Sequence, residues 1–426
     1  MLVILITLDC LRRDHFNEDY TPLFLKNVGD FVSFENAFSQ SQNTLSSHFT
    51  MFTSNYLFQH GVYSNFENKD LPSYSIDKLL RKKDFETKAV CGISFLANKL
   101  GNQIGEKDTV FEISKSRLKN ALKKRIFGER RKAENVFGKG VKWLIDKKRK
   151  NNAFLWLHLF DAHMPYYSPK RFQDFEVRKT ERSVKGQIDE RGWFSSYFKE
   201  YEKKVDLNYF PQCYKSAVRY IDKSLNDFFS LLKNLNIYDQ SFIIVTSDHG
   251  ECLLGEHSIY CAHKKLFDET INVPLFIKFP LFKFRNEKVF ELVEHIDLAP
   301  TIGGLIDVEE EKYEGRDLAK LLQGKSPLKT FSFSEHVDNF MKAIRNKDYI
   351  YAERNENSEN RWNMKVEENH LFKRSGEPVS DTDIELKMKQ DIEKFLADKN
   401  YEYHKKESAN EKDKDIGSQL KSFGYL

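Results

Sequence analysis

The chain has 426 residues, 40% of them hydrophobic and 31% charged, with a formal net charge of +4. That length can bury a large core and accommodates about two or three domains. The balanced charge excludes a globally basic nucleic-acid binder. Five widely spaced cysteines exclude a disulfide framework or a CxxC metal site, and fit a reducing compartment.

The chain opens MLVILITLDCLRRD. The apolar run Leu2–Leu8 is too short to span a membrane, and it lacks a basic lead-in and a small-residue cleavage site. No later run reaches membrane-spanning length. The expectation is a cytoplasmic protein, or one that docks on a membrane only peripherally. Leu2–Leu8 reads instead as a strand buried on both faces. Ile76–Arg81 is a helix candidate, and Lys88–Ser94 a weaker strand. Lys115–Lys150 is basic, with Arg125, Arg130, Arg131, Lys147, Lys148 and Arg149 among few acids. It reads as a solvated helix face or as a patch that attracts an anionic substrate or surface. Within it Glu134–Lys147 has helical pattern. Ala153–Leu159 is a second buried strand. Lys170–Leu207 has no clear period and reads as a long insertion that shapes substrate access.

From Cys213 to Leu235 apolar residues recur every three or four positions, the stripe of one helix face. Ser241–Thr246 and Val273–Phe279 follow as buried strands. Continuous apolar strands alternating with helices predict an α/β fold around a parallel or mixed sheet sandwiched by helices. After about Thr330 the texture changes. Lys342–Glu353 and Arg361–Glu367 read as short strands, Asp383–Ala397 as an amphipathic helix, and Asn400–Asp415 as a charged tail. The expected division is residues 1–330, an α/β catalytic unit, and 331–426, a smaller C-terminal subdomain.

Three of the buried strands end in side chains suited to a metal or to acid–base work: Asp9; then His158, Asp161 and His163; then Asp248 and His249. Open α/β sheets bind ligands beyond the carboxyl ends of their strands, so these groups should converge at one edge. Carboxylates with imidazoles suit Zn, Mn, Mg or Ca. Taken singly, an Asp after a strand is usually a helix cap or turn former, and a His more often a structural residue than a ligand; three strand ends of the same character point to a site. The segment Asn43-Thr44-Leu45-Ser46-Ser47-His48 reads as a polar turn opening a helix. Thr44 is there either an ordinary N-cap or a nucleophile, set where N–H groups and the helix dipole favour an anionic ester. A cation beside its oxygen would lower the hydroxyl pKa.

These pieces, in order, resemble the sulfatase family of the alkaline phosphatase superfamily. Thr7-Leu8-Asp9-Cys10 resembles its first strand and metal-binding turn. Thr44 to His48, then Thr53 and His60-Gly61-Val62, resembles the nucleophile segment. Leu157-His158 through Asp161, His163 and Tyr166 resembles the substrate-histidine segment, and Thr246-Ser247-Asp248-His249-Gly250-Glu251 the second metal motif. Gly255-Glu256-His257, His263, Leu266 to Leu275, His295 to Thr301 and Gly315-Arg316 follow in family order. The resemblance implies an alkaline-phosphatase-like, mostly parallel mixed sheet flanked by helices. It implies one divalent cation held by Asp9, Asp248, His249 and Thr44, with Thr44 as nucleophile. His163 and His263 would contact the ester or protonate the leaving oxygen, and His48, where Arg is common, would support the nucleophile. His158 would only support its strand. Cys10 stands where many members have a second Asp. A second metal would need Asp161 with His163 or His263.

Members that form formylglycine carry Cys or Ser where this chain has Thr44, which cannot be so converted. That favours phosphate over sulfate esters. The expected activity is a metal-dependent ester hydrolase acting on a small-molecule, glycan or lipid ester through a covalent Thr44 intermediate. The alternatives are a phosphoglycerol- or phosphoethanolamine-type transferase, and an inactive binding protein of the same fold.

Overall fold

The computed structural model describes residues 1–105, 130–146, 152–164, 166–175, 208–253, 266–308, 310–336, 341–355 and 370–401. At its centre lies a seven-stranded sheet in the order β3-β4-β1-β5-β6-β2-β7. The strands are β1 Leu2–Leu8, β2 Val32–Phe38, β3 Glu86–Cys91, β4 Ala153–Leu159, β5 Ser241–Ser247, β6 Leu275–Lys278 and β7 Lys288–Glu294. β3, β4, β1 and β5 run parallel, with Thr7 level with His158 on one side and Thr246 on the other. β6 runs antiparallel to both β5 and β2, and β2 pairs parallel with β7. All but β6 therefore aim their carboxyl ends at one edge.

The helices that matter here are α1 Thr44–Thr53, α2 Ile76–Lys82, α3 Ala133–Asp146, α4 Tyr209–Asn234, α5 Leu298–Gly304 and α6 Thr382–Asp398. Side chains alternate across a strand, so β1 feeds two cores. Ile4, Ile6 and Leu8 pack with Val136 and Val141 of α3 and Ile221, Leu225 and Phe228 of α4. Val3 and Leu5 pack with Phe49 and Phe52 of α1, Leu80 of α2 and Ile302 of α5. Each fully buried side chain of this size contributes roughly 1.5–3 kcal/mol. Burial on both faces explains why these strands lack polar alternation.

The predicted stripe of α4 is the buried one, though the helix starts at Tyr209, before Cys213. β6 is shorter than Val273–Phe279, because Pro274 has no N–H to give a ladder. β2 and β7 carry no continuous apolar run. Glu35 and Asn36 break the first, and the second alternates exposed and half-buried residues through Phe290.

A second, antiparallel sheet has the order β11-β10-β9-β8, from β8 Ser332–Glu335, β9 Met341–Arg345, β10 Tyr349–Arg354 and β11 Leu371–Lys373. Lys342–Glu353 is thus a hairpin rather than one strand. Its turn is closed by Asn346 Oδ1, which accepts from Asp348 and Tyr349 N–H. Arg361–Glu367, residues 176–207 of the insertion, and the tail beyond 401 lie outside the described residues. Phe333, Ile344 and Tyr351 of this sheet share a core with Met388 and Ile392 of α6, and with Tyr56, Leu57 and Phe58 just after α1.

Glu335 is buried at that junction, accepting from Phe58 N–H at 3.1 Å and Tyr63 O–H at 3.2 Å. Burial pushes its pKa up from 4.5 to about 8. A raised carboxyl pKa gives stability that is complete below the unfolded value and lost as pH rises through the folded one. Wild-type Tm should therefore fall between pH 5 and 8 by an amount that shrinks in Glu335→Gln. Equal slopes for the two proteins in thermal melts across that range would contradict this.

Candidate active site

β1 and β5 are adjacent and parallel, so the residues that follow them meet. Asp9, Asp248 and His249 are fully buried, and each offers one ligand atom within 4.8 Å of the others. The chain turns sharply after Asp9, with Cys10 at φ +60°, a region unusual for a residue with a Cβ. Tyr214 of α4 pins this turn: its hydroxyl donates to Cys10 O at 2.9 Å and accepts from Arg12 N–H at 3.1 Å. Asp248 Oδ1 accepts from the N–H groups of Cys10 and His249, at 3.2 and 2.8 Å. Burial, then the neighbouring Asp9 carboxylate, pushes the Asp248 pKa up. Gly250 allows the close turn that follows, because a Cβ there would lie 2.1 Å from Glu269 O.

The donor set fits a divalent cation. Asp9 Oδ1 and Oδ2 and Asp248 Oδ2 are buried without a hydrogen-bond partner among the described residues. Buried carboxylates without partners are costly, and a cation removes that cost. His249 Nδ1 lies 2.9 Å from Gly250 O, a pure acceptor, so Nδ1 carries the proton and Nε2 is the nitrogen that would face a cation.

Thr44 Oγ1 stands 3.4 Å from His249 Nε2. Thr44 is not the helix cap. Asn43 is, accepting from Ser46 N–H, and this leaves the Thr44 hydroxyl uncommitted to capping. The N–H of Leu45 is held by Asn65 Oδ1 at 2.9 Å and that of Ser47 by Asn43 O at 2.9 Å. These first-turn N–H groups are thus taken up by the protein, which corrects the expectation that they receive the ester. The dipole of α1 remains.

His48 lies one turn below Thr44 and is fully buried. Its Nδ1 donates to Thr44 O at 2.6 Å and its Nε2 meets Thr7 Oγ1 at 3.1 Å. Both nitrogens are engaged, so His48 positions Thr44 through its carbonyl and does not reach a substrate. Burial pulls its pKa down to about 3 and that of His158 to about 4. Both rings are neutral at ordinary pH.

His163 is half-buried, stacked on Phe160 with centroids 4.3 Å apart, and Arg130 packs over the same ring at 4.6 Å. His163 Nδ1 donates to Met164 O at 2.8 Å. Burial pulls its pKa down to about 4, against the pull of Asp9. It forms a second possible ligand group with Asp9 and Cys10. Burial and the carboxylates of Glu251, Asp9 and Asp248 push the Cys10 thiol well up, so it is neutral. Asp161 does not join either group: its Oδ1 accepts from Ala133 N–H at 3.3 Å, at the start of α3, and burial pushes its pKa up to about 7. The expected second-metal role of Asp161 is therefore not supported. His263 and Gly255-Glu256-His257 lie outside the described residues. Arg131, in the basic stretch, is buried rather than part of a solvated face.

Thr7, Trp156, Tyr214 and Asn65 were not singled out from sequence. The strand period offered a signal for two of them, since Thr7 lies two residues before Asp9 and Trp156 two before His158, on the same sheet face.

Among curated proteins, steryl-sulfatase of Homo sapiens is 29% identical over 147 residues, 31% of this chain and 25% of that protein. Lipoteichoic acid synthase 2 of Bacillus subtilis is 32% identical over 109 residues, 24% of this chain and 16% of that protein. The chain thus matches a quarter or less of the length of these two relatives. The phosphonate monoester hydrolase SpPMH of Silicibacter pomeroyi has the same fold, with a TM-score of 0.70 at 18% identity over 94% of this chain and 96% of that one. The Sulfatase family model matches residues 2–308, which hold the whole central sheet and Asp9, Thr44, Asp248 and His249, so this chain belongs to the sulfatase family.

Proposed function

We propose that the chain is a metal-dependent hydrolase of phosphate or sulfate esters, with phosphoesters preferred and Thr44 as the nucleophile. The observation that carries this reading is the 3.4 Å distance from Thr44 Oγ1 to His249 Nε2, in a chain whose buried Asp9 oxygens and Asp248 Oδ2 have no hydrogen-bond partner among the described residues. A divalent cation, when bound, supplies positive charge that lowers the hydroxyl pKa and offsets charge on the ester oxygens. Asp9, Asp248 and His249 would hold it.

Thr44 releases its hydroxyl proton to solvent, its Oγ attacks phosphorus, the P–O bond to the leaving alcohol breaks, and a phosphoester to Thr44 forms. His48 fixes the Thr44 backbone during this step. His163, half-buried and grouped with Asp9 and Cys10, would protonate the leaving oxygen from Nε2 once the bound anionic ester raises its pKa and the ring takes up a second proton from solvent. Water then cleaves the phosphothreonine and regenerates the hydroxyl. A sulfated threonine lacks the elimination route open to a hydrated aldehyde, which is why phosphoesters are preferred.

The test is turnover by metal-stripped protein of p-nitrophenyl phosphate, bis-p-nitrophenyl phosphate, phenylphosphonate esters and p-nitrophenyl sulfate, with Mn, Zn, Mg and Ca restored separately. Metal-dependent release from a phosphorus ester is the expected result. Release only from the sulfate would overturn the phosphoester preference, and no release from any ester would count against hydrolysis.

A further inference from the structure

The turn between β2 and α1 leads straight into Thr44, and it concentrates bare polar atoms. Gln40 Oε1, Ser41 Oγ, and both Oε1 and Nε2 of Gln42 are buried without a hydrogen-bond partner among the described residues. Other groups of the same turn are in use. Gln40 Nε2 donates to Glu294 Oε1 at 3.0 Å, and Ser41 O accepts from the hydroxyls of Ser39 and Ser47 at 2.7 and 2.9 Å. Gln40 and Ser41 thus each leave one oxygen bare. Gln42 leaves a whole amide bare, two N–H donors and a carbonyl, at 1% exposure. A buried amide without partners destabilises a fold, and native structures rarely keep one without a functional reason or a bound ligand.

The backbone sets where that amide can act. Asn43 is extended, at φ −122° and ψ 131°. The two side chains that flank an extended residue leave the chain on one side, and the residue between them leaves on the other. Asn43 turns to cap the Ser46 N–H, so Gln42 and Thr44 share the opposite side. Their Cα atoms are about 7 Å apart along extended chain, and a glutamine is long enough to bring its amide beside a group bonded to Thr44 Oγ1. Burial does not separate Gln42 from the site, since Thr44 is itself only 3% exposed. The N–H groups of Leu45 and Ser47 are already held, by Asn65 Oδ1 and Asn43 O. An ester at Thr44 therefore needs another neutral donor, and Gln42 Nε2 has two protons to give.

We propose that Gln42 is a substrate-binding residue: its side-chain amide donates from Nε2 to a non-bridging oxygen of the phosphoester that Thr44 attacks. No proton is transferred, and the hydrogen bond strengthens as charge builds on that oxygen. This rests on the reading of Thr44 as nucleophile above, and adds to it a contact with the ester group itself.

The test compares the wild type with Gln42→Met, which keeps the length of the side chain and removes its polar end, and with Gln42→Leu, which changes its shape. In Mn2+-loaded protein, kcat/KM on the best phosphorus ester should fall roughly 10²-fold. The inhibition constant of inorganic phosphate should rise roughly 10-fold or more. Mn2+ content should stay that of the wild type. The substrate-free variants should melt no lower than the wild type, because a bare amide has no partner to lose. A lower Tm in both variants would reveal a structural partner for the amide and overturn the proposal. So would kcat/KM within about twofold of wild type in Gln42→Met. Loss of Mn2+ from both variants would put the effect at the ion rather than at the ester oxygen, and overturns it too. A wild type that turns over no ester with any metal fails at an earlier point: it removes the nucleophile reading, and this contact with it.

Discussion

Thr44→Ala should lower kcat at least about 10³-fold while leaving the fold intact, and Thr44→Ser should keep measurable turnover. The alanine variant loses the hydroxyl that faces His249. It does not lose a helix cap, because Asn43 performs that task. Capping residues are worth about 0.5–2 kcal/mol, so Asn43→Ala should lower Tm where Thr44→Ala does not. The two variants separate chemistry from folding. Steady-state rates on the best ester and thermal melts decide the matter: more than a tenth of wild-type kcat in Thr44→Ala would remove Thr44 from the chemistry.

The second large effect belongs to Asp248. Asn at this position can still accept the N–H groups of Cys10 and His249, but it has no charge to share with a cation. Activity should fall by about 10³-fold or more, and the rise in Tm that metal gives the wild type should vanish. The metal-free protein should behave in the opposite sense. There Asp248 is a buried carboxylate raised by burial and by Asp9, so removing its charge relieves repulsion and should hold or raise Tm. Thermal melts with and without Mn2+ or Zn2+ test both halves. A wild-type-sized metal increment in Asp248→Asn would mean that the ion is held elsewhere.

The elements that sequence predicted well are those whose burial is two-sided. β1, β4 and β5 are uninterrupted apolar runs because α3 and α4 cover one face and α1, α2 and α5 the other. The edge strand β7 has no such cover, and Phe290 on it is 60% exposed, so its pattern resembles that of a loop. β2 is broken by Glu35 and Asn36 at the point where its register with β7 shifts. In the site, Asp9, Asp248 and His249 were legible because strand ends of one sheet must meet. The part of His48 was not. Whether a histidine faces a substrate or a backbone carbonyl depends on which neighbour holds each nitrogen, and that requires Thr7 and Thr44 to be placed in space. The change of texture near residue 330 marks the arrival of a new sheet, yet not of a separate core.

That shared core bears on the order in which the protein assembles during synthesis. Phe58, five residues beyond the end of the helix that carries Thr44 and its neighbours, is anchored by Glu335, 277 positions later in the chain. Asp9, Thr44, Asp248 and His249 have all been synthesised long before this anchor exists. The nascent chain can form its parallel strands early, and Ser54 and Tyr56 can then meet Ile296 and Glu294, but the segment around Phe58 gains its packing on Phe333 and α6 only when β8 and its partners emerge. Final ordering of the segment that follows the Thr44 helix is therefore a late event in biosynthesis, and a stalled or truncated chain would carry Asp9, Thr44, Asp248 and His249 without it.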